Sequence, residues 1–495
     1  MTEWSRGYVA DSLYTVSYQA GQAPAHLALA CAMVGVEWQP RPDMTVVDIG
    51  CGRGFSVNTL AASNPGWTVV GLDYNPAQIA EAAGVAERAA LANAIFVEAD
   101  LASMTEAEMD RIPLIDVAML HGVWTWVGDD VRAGIVRLLA RRLKPGGIAY
   151  FGYNALPGFG RDMALQRLFR HVSALQSTGN SNQRAHAAMD TVKALHATKP
   201  RQLYETPMLK RIAEDDTPID GAYLAHEFLT DHWRPVFHED LCAALAPAKL
   251  EFATSATLSE NIPDLIFGTE QREVFERMPS GPSREFMKDL CMARPFRRDI
   301  FVRGLRRTDH VAALDRIPVA LCRGVIPPEL KIVVQVGIAE LTPQMWEPIS
   351  KALLEGPQTL GYLRSLPEGR KPNPAELLAM LDGCGVVMPV LRDSGPTPET
   401  QRYNRVAADT YAEGGVGRGQ FALASPVAAG GVPCTSLELA VAVDPDVAAG
   451  TPPPPETLAL RLLPNLDEEG LRRGAAVIAE ILEERTPVWK RFGIV

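Results

Sequence analysis

The chain lacks any apolar run long enough to cross a membrane, and its polar start, Met1-Thr2-Glu3-Trp4-Ser5-Arg6, is not followed by the apolar stretch of a signal peptide. Membrane insertion is therefore not expected, and the cytoplasm is the default address. Paired cysteines are missing too. Cys31, Cys51, Cys242, Cys291, Cys322, Cys384 and Cys434 are scattered with no Cys-x-x-Cys among them, which indicates neither a disulfide framework nor a zinc site. His226, His232 and His238 stand six apart rather than in His-Glu-x-x-His spacing, so no metal is expected. Positive charge is in deficit, with 48 Lys and Arg against 59 Asp and Glu and a net charge of -11, which argues against nucleic acid or anionic lipid as a broadly held partner. No internal repeat is present. The 47% hydrophobic and 22% charged fractions describe a soluble globular protein, and 495 residues are too many for one ordinary core, so two or three domains are expected.

Against these absences one stretch stands out. Val46-Val47-Asp48-Ile49-Gly50-Cys51-Gly52-Arg53-Gly54 joins a buried strand, a glycine turn and the start of a helix. Its spacing is Gly-x-Gly-x-Gly, with Phe55 where a dinucleotide turn has its third glycine, so the pattern fits an NAD-type loop poorly and S-adenosyl-L-methionine better. With no side chains at Gly50 and Gly52, main-chain amides can approach the methionine portion of that cofactor. The helix expected over 55–62 turns its unpaired amides toward the carboxylate. Asp48, Cys51 and Gly54 belong to the same turn. Asp73 ends the strand expected over 67–73, where a carboxylate accepts from both ribose hydroxyls, with Tyr74 beside it. A third apolar run, 94–97, leads to Asp100 and Leu101, and Asp100 is expected at the adenine amino group. Each residue also has a plainer reading, since glycine serves left-handed turns and strand-end aspartates cap helices. A second glycine-rich stretch, 414–419, has neither a preceding apolar strand nor a spaced acid and reads as a flexible loop.

Strands over 45–50, 67–73, 94–99, 115–121 and 147–153 alternate with helices over 54–63, 76–91 and 129–143. This is the pattern of an α/β protein with a Rossmann-like doubly wound parallel sheet. Residues 1–40 read as a helical cap over the cofactor site and 41–160 as the cofactor-binding core. Residues 161–305 read as a helical insertion followed by sheet completion from strands near 250–254 and 296–304. From 306 to 495 the helix-turn-helix pattern with an apolar strand reads as a winged-helix-like α+β domain, not basic enough for nucleic acid, ending in an extended proline run at 452–455 and an amphipathic helix over 467–484.

Open α/β sheets bind ligands at the carboxyl ends of their strands, which makes Tyr153 and Asn154 the first candidates to position an acceptor. Asn154 offers a carbonyl oxygen to an amine. His121, at another strand end, is a candidate to take a proton. Trp124 and Trp126 are candidates for the substrate wall, as are Tyr14 and Tyr18, which are four apart and so fall on one face of a helix. Packing serves as an alternative reading for all four.

The turn at 46–54 with Asp73 resembles the class I S-adenosylmethionine-dependent methyltransferases. His121-Gly122-Val123-Trp124-Thr125-Trp126-Val127, Tyr153-Asn154-Ala155-Leu156-Pro157-Gly158-Phe159 and Tyr223-Leu224-Ala225-His226-Glu227-Phe228-Leu229 are similar to the bacterial members that carry a methyltransferase regulatory domain. The resemblance covers most of the chain, departing in residues 14–22. It implies lysine N-methylation of a protein substrate, as in the family's outer-membrane-protein lysine methyltransferases. Methyl transfer is an in-line displacement that needs no metal, and a lysine must arrive neutral. O- or N-methylation of a glycan or small metabolite stays open, as do a non-catalytic cofactor-binding scaffold and a homodimer. A DNA-base enzyme is disfavoured, because no Asn-Pro-Pro-Tyr or Asp-Pro-Pro-Tyr motif follows the fourth strand.

Overall fold

Seven strands form the central sheet of the computed structural model, which describes residues 5, 7–176, 178–214, 219–367, 372–412 and 419–495. They are β1 (Thr45–Ile49), β2 (Thr68–Asp73), β3 (Ala94–Glu98), β4 (Ile115–His121), β5 (Leu143–Asn154), β6 (Leu250–Ser255) and β7 (Phe296–Arg303). Their order across the sheet is β3-β2-β1-β4-β5-β7-β6. The central strands read as nearly unbroken apolar runs because both faces are covered. Alternate residues feed two cores: Val46, Val69, Met119 and Tyr150 point to one, Val47, Val70, Leu120 and Phe151 to the other.

The expected parallel sheet is parallel over its first five strands only. β7 runs antiparallel to both β5 and β6, pairing Tyr150 with Ile300 and Phe252 with Phe301. The chain leaves β5 through the insertion, returns to lay β6 at the sheet edge, and then fills the gap beside β5 from the opposite direction. Among the described residues the insertion forms the α-helices Met163–Leu175, Ser181–Ala197, Pro207–Glu214 and Gly221–Phe228. They close around a small core of their own, with Leu165, Phe169, Val192 and Phe228 at its centre.

The described part of residues 1–40 is not the mainly helical cap expected from the sequence. It contains one α-helix, Pro24–Met33, buried along most of its length, while residues 8–19 hold no helix and a single short strand, Val16–Ser17. Tyr14 and Tyr18 therefore share no helical face. This segment is held at both ends: Val9 packs into the core of the insertion, and strand Val16–Ser17 pairs with Gly419–Ser425 of the carboxy-terminal part. The glycine-rich stretch 414–418 lies outside the described residues.

In the carboxy-terminal part, Pro343–Glu355, Gln358–Thr359, Leu360–Leu363, Pro374–Gly383 and Val387–Pro389 follow one another as helix, strand, two helices and strand. The central strand of their three-stranded sheet, Pro318–Leu321, precedes them in the chain. A hairpin, Leu330–Val334 with Gly337–Leu341, escaped the sequence reading. The last helix, Glu468–Arg491, continues past the expected end and tolerates Pro487 within it. The core on one face of the main sheet runs without interruption into this part, through Leu353, Leu378, Tyr403 and Trp489.

Behind β7 lies a buried charge network. The Arg297 guanidinium, fully enclosed, donates to Asp289, Glu285 and Asp299 at 2.8 to 3.1 Å. Burial alone raises the Glu285 carboxyl, but Lys288, Arg297 and Arg294 more than offset this and lower it to about 2. A group depressed in this way stabilises the fold fully above its unfolded value of about 4.3, and that contribution is lost as pH falls through about 2. Thermal midpoints are thus expected to fall steeply between about pH 4 and pH 2, and Glu285→Gln to show a shallower fall over that window. Parallel slopes in a differential scanning experiment would contradict this.

Candidate active site

A cavity of about 910 Å³ opens along the carboxyl ends of β2, β1, β4 and β5. Asp73, Gly50, His121 and Asn154 stand at these successive strand ends and all line it. Three inter-strand spacings separate the outer two, roughly 14 Å.

The turn after β1 is built on left-handed glycines. Gly50, Gly52 and Gly54 have φ of +79°, +53° and +72°. The Gly50 and Cys51 amides donate back to Leu72 carbonyl oxygen at 2.7 and 3.0 Å, which folds the turn against β2. A Cβ on Gly50 would lie 2.4 Å from Val123 Cγ2, and one on Gly54 2.5 Å from Ala82 Cβ. Asp73 locks the turn: its carboxylate accepts from the Gly52 amide at 2.8 Å and the Asn75 amide at 2.9 Å. Burial raises its pKa, and hydrogen bonds from Asn75 and Gly52 work against the rise. Asp48 sits buried behind the turn, raised to about 7 by burial and by Asp73. Neither Asp48 nor Cys51 nor Gly54 lines the cavity.

Further along the wall come Tyr74, Asp100 and Leu101. The Asp100 carboxylate accepts from the Ala102 amide and the Ser103 hydroxyl, so it also shapes the turn after β3. His121 lines the cavity with Nδ1 2.8 Å from the Tyr150 hydroxyl. Burial, and then Arg298, lowers it to about 3, which keeps the ring neutral and a poor proton acceptor.

The amino-terminal segment and the insertion supply further wall, together with Phe296 and Arg298 of β7 and Gly419 and Gln420 of the carboxy-terminal part. Asn154 is fixed by its amide, which donates to Thr125 Oγ1 at 2.9 Å, and its side chain donates to Glu227 Oε1 at 3.2 Å. Trp126 donates its indole N–H to the Glu227 carbonyl oxygen. Tyr14 meets the His226 ring edge-on at 5.1 Å, and Tyr8 lies 5.5 Å from the same ring.

The structure does not bring Tyr153, Tyr18 or Trp124 to this cavity. Neighbours on a strand point to opposite faces, so while Asn154 faces the cavity Tyr153 points into the core and donates to Asp299 at 2.7 Å. Tyr18 is buried elsewhere, accepting from the Gly431 amide at 2.6 Å. Trp124 packs edge-on against Phe151 beneath the Arg132 guanidinium. Glu227, Tyr8, Tyr223, Gln78 and Arg298 line the cavity without having been singled out. Among the described residues one cluster brings potential metal-ligand atoms within 4.8 Å, His196 with Glu205 and Glu214, and none of the three lines the cavity.

One buried atom tests whether the wall suits a nucleoside-type ligand. Gln78 lines the cavity, its Oε1 has no hydrogen-bond partner among the described residues, and that oxygen lies 3.0 Å from the point a Gly52 Cβ would occupy. An unpaired buried polar group beside a left-handed glycine turn and a strand-end carboxylate suits S-adenosylmethionine.

Comparisons with known proteins agree. A methyltransferase domain model matches residues 40–238 and a predicted methyltransferase regulatory domain model residues 220–303. The uncharacterized protein sll1526 of Synechocystis sp. is 30% identical over 403 residues, 79% of this chain and 78% of its own. In structure, the chain superposes on PKMT2 from Rickettsia typhi with a TM-score of 0.69 at 17% identity, covering 97% of this chain and all of that one. PKMT2 in complex with AdoHcy gives 0.68 at 16% identity over 97% and 99% of the two chains. That likeness is one of fold.

Proposed function

We propose, since this chain belongs to the S-adenosylmethionine-dependent methyltransferases that carry a methyltransferase regulatory domain, that it methylates a protein acceptor at a lysine side-chain nitrogen. The observation that carries the reading is one continuous cavity joining the glycine turn and Asp73 to Asn154 and the aromatic wall of Tyr14, Trp126 and Tyr223. The full-length likeness in fold to PKMT2 from R. typhi supports the same acceptor.

When bound, S-adenosylmethionine supplies a methyl group on a sulfonium, open to in-line displacement. Gly50 and Gly52 would admit it to the main chain, Asp73 would accept from the ribose hydroxyls, and Tyr74, Asp100 and Leu101 would border the adenine. Arg298 offers a cation in the same cavity. Asn154 aligns the acceptor, and the aromatic wall excludes water and favours a cationic amine through its ring faces. The winged-helix-like module at 306–495 braces the turn rather than reading nucleic acid.

Radiolabelled S-adenosylmethionine incubated with the protein and a bacterial lysate is expected to label protein lysines. Label confined to glycans or small molecules would overturn the lysine assignment. Asp73→Ala is expected to weaken cofactor affinity at least tenfold, about 1.4 kcal/mol, by calorimetry. Unchanged affinity would remove Asp73 from the site.

A further inference from the structure

We infer that Glu227 is the carboxylate that receives the cationic acceptor and takes its proton, with Asn154 fixing it at the cavity wall beside Tyr14 and Tyr223. The inference rests on the amine-methylation reading above and names the residue of this chain that acts on the amine.

Glu227 sits in the Gly221–Phe228 helix of the insertion and lines the cavity shared with the glycine turn. Its Oε1 accepts from Asn154, whose own backbone is pinned by Thr125, so the carboxylate is held at the carboxyl end of β5. No Arg, Lys or His forms an ion pair with it among the described residues. The groups around it leave its charge uncompensated. From the amino-terminal segment Tyr14 lies within reach of its charge, as does Tyr223 on its own helix, where His226 is its neighbour in sequence. His226 is tied by Nε2 to the Ser12 carbonyl oxygen, and burial lowers its pKa. Arg211, from the preceding helix, lies over the Tyr223 ring at 5.8 Å rather than on the carboxylate. Asp162 adds a second negative charge from the start of the insertion. Trp233 approaches from the loop after the helix.

A carboxylate kept in an aromatic-walled cavity with no cation beside it costs free energy that a structural position would shed. Burial raises Glu227 to about 7, with Asn154 opposing and Asp162 adding to the rise. An acceptor entering as an ammonium supplies the missing charge. One N–H proton then passes to a Glu227 oxygen, leaving a neutral amine whose lone pair forms the N–C bond. The C–S bond breaks with its electron pair staying on sulfur, and the product leaves as a methylammonium while the Glu227 proton returns to solvent. A hydroxyl acceptor brings no positive charge to balance the carboxylate and a carboxylate acceptor would be repelled by it, so the substrate class favoured here is an amine that enters as a cation.

The test uses the full chain, tritiated S-adenosylmethionine and poly-L-lysine, with S-adenosylhomocysteine affinity measured separately. Glu227→Gln is expected to lower labelling at neutral pH by at least about a hundredfold, in the range lost with a general base, and to leave S-adenosylhomocysteine affinity within about twofold. Wild-type labelling is expected to rise with pH through about 7 as the carboxylate ionises. The variant should lack that rise and recover toward the wild-type rate near pH ~10, where the amine deprotonates unaided. Wild-type rates in the variant at neutral pH, an equal deficit at every pH, or a parallel loss of S-adenosylhomocysteine binding would each overturn the inference while leaving amine methylation standing. A wild-type enzyme that labels no amine would overturn both.

Discussion

Asp299→Ala is expected to lower the free energy of unfolding by about 3–5 kcal/mol, the cost of breaking a buried ion pair and leaving its partner uncompensated. Asp299 is fully buried and accepts from Arg297 Nε, from the Tyr153 hydroxyl at 2.7 Å and from His238 Nδ1 at 2.9 Å. Burial opposes its charge, yet Arg297 and His238 hold its carboxyl far below the ordinary range. Removing it leaves Arg297 with Asp289 and Glu285 only and strips two further donors of their acceptor. Asp299→Asn keeps the shape and should cost less. Urea unfolding of both variants measures the difference, and a loss under about 1 kcal/mol for the alanine variant would mean that the network relaxes around the gap.

The second large effect belongs to the turn. Gly50→Ala places a methyl group 2.4 Å from Val123 Cγ2 at a φ of +79°, where an L side chain is already strained. The turn must shift, and the cavity lies on its open side. Cofactor affinity is expected to fall by about a hundredfold or more, roughly 2.7 kcal/mol. Adding Val123→Ala relieves the contact but not the backbone strain, so the double variant should recover part of the loss. Calorimetry with S-adenosylhomocysteine decides it, and wild-type affinity in the single variant would show that the turn does not touch the ligand.

What the sequence made legible follows from range. The turn, Asp73 and the alternating strands are local patterns, each decided within about ten residues. Strands near 250 and 300 were legible as apolar runs, but their antiparallel insertion beside β5 depends on how the chain returns from the insertion. Tyr153 and Asn154 look equivalent in one dimension, and strand parity separates them. Glu227 carries no spacing signal toward the turn, since its neighbour Asn154 is 73 residues distant. The charge network draws Glu260, Glu285, Asp289, Arg294, Arg297 and Asp299 from four elements or loops, and no periodicity announces that they meet. The amino-terminal segment was misread as helix because its partners, the insertion and the Gly419–Ser425 strand, lie hundreds of residues downstream.

The helix after the glycine turn, Phe55–Ser63, is buried along its whole length. Tyr403 reaches Thr59 Oγ1 at 2.8 Å and the Phe55 carbonyl oxygen at 3.2 Å, Ser63 donates to Gly430, and Asn64 donates to Ala429. Part of its casing therefore comes from the last hundred residues of the chain. Cut at residue 305, the catalytic half would be no detachable module: Phe55 would meet water, and Thr59, Ser63 and Asn64 would each lose a tether. A disturbance at the far end of the polypeptide is in this way felt first at the methyl donor's doorstep.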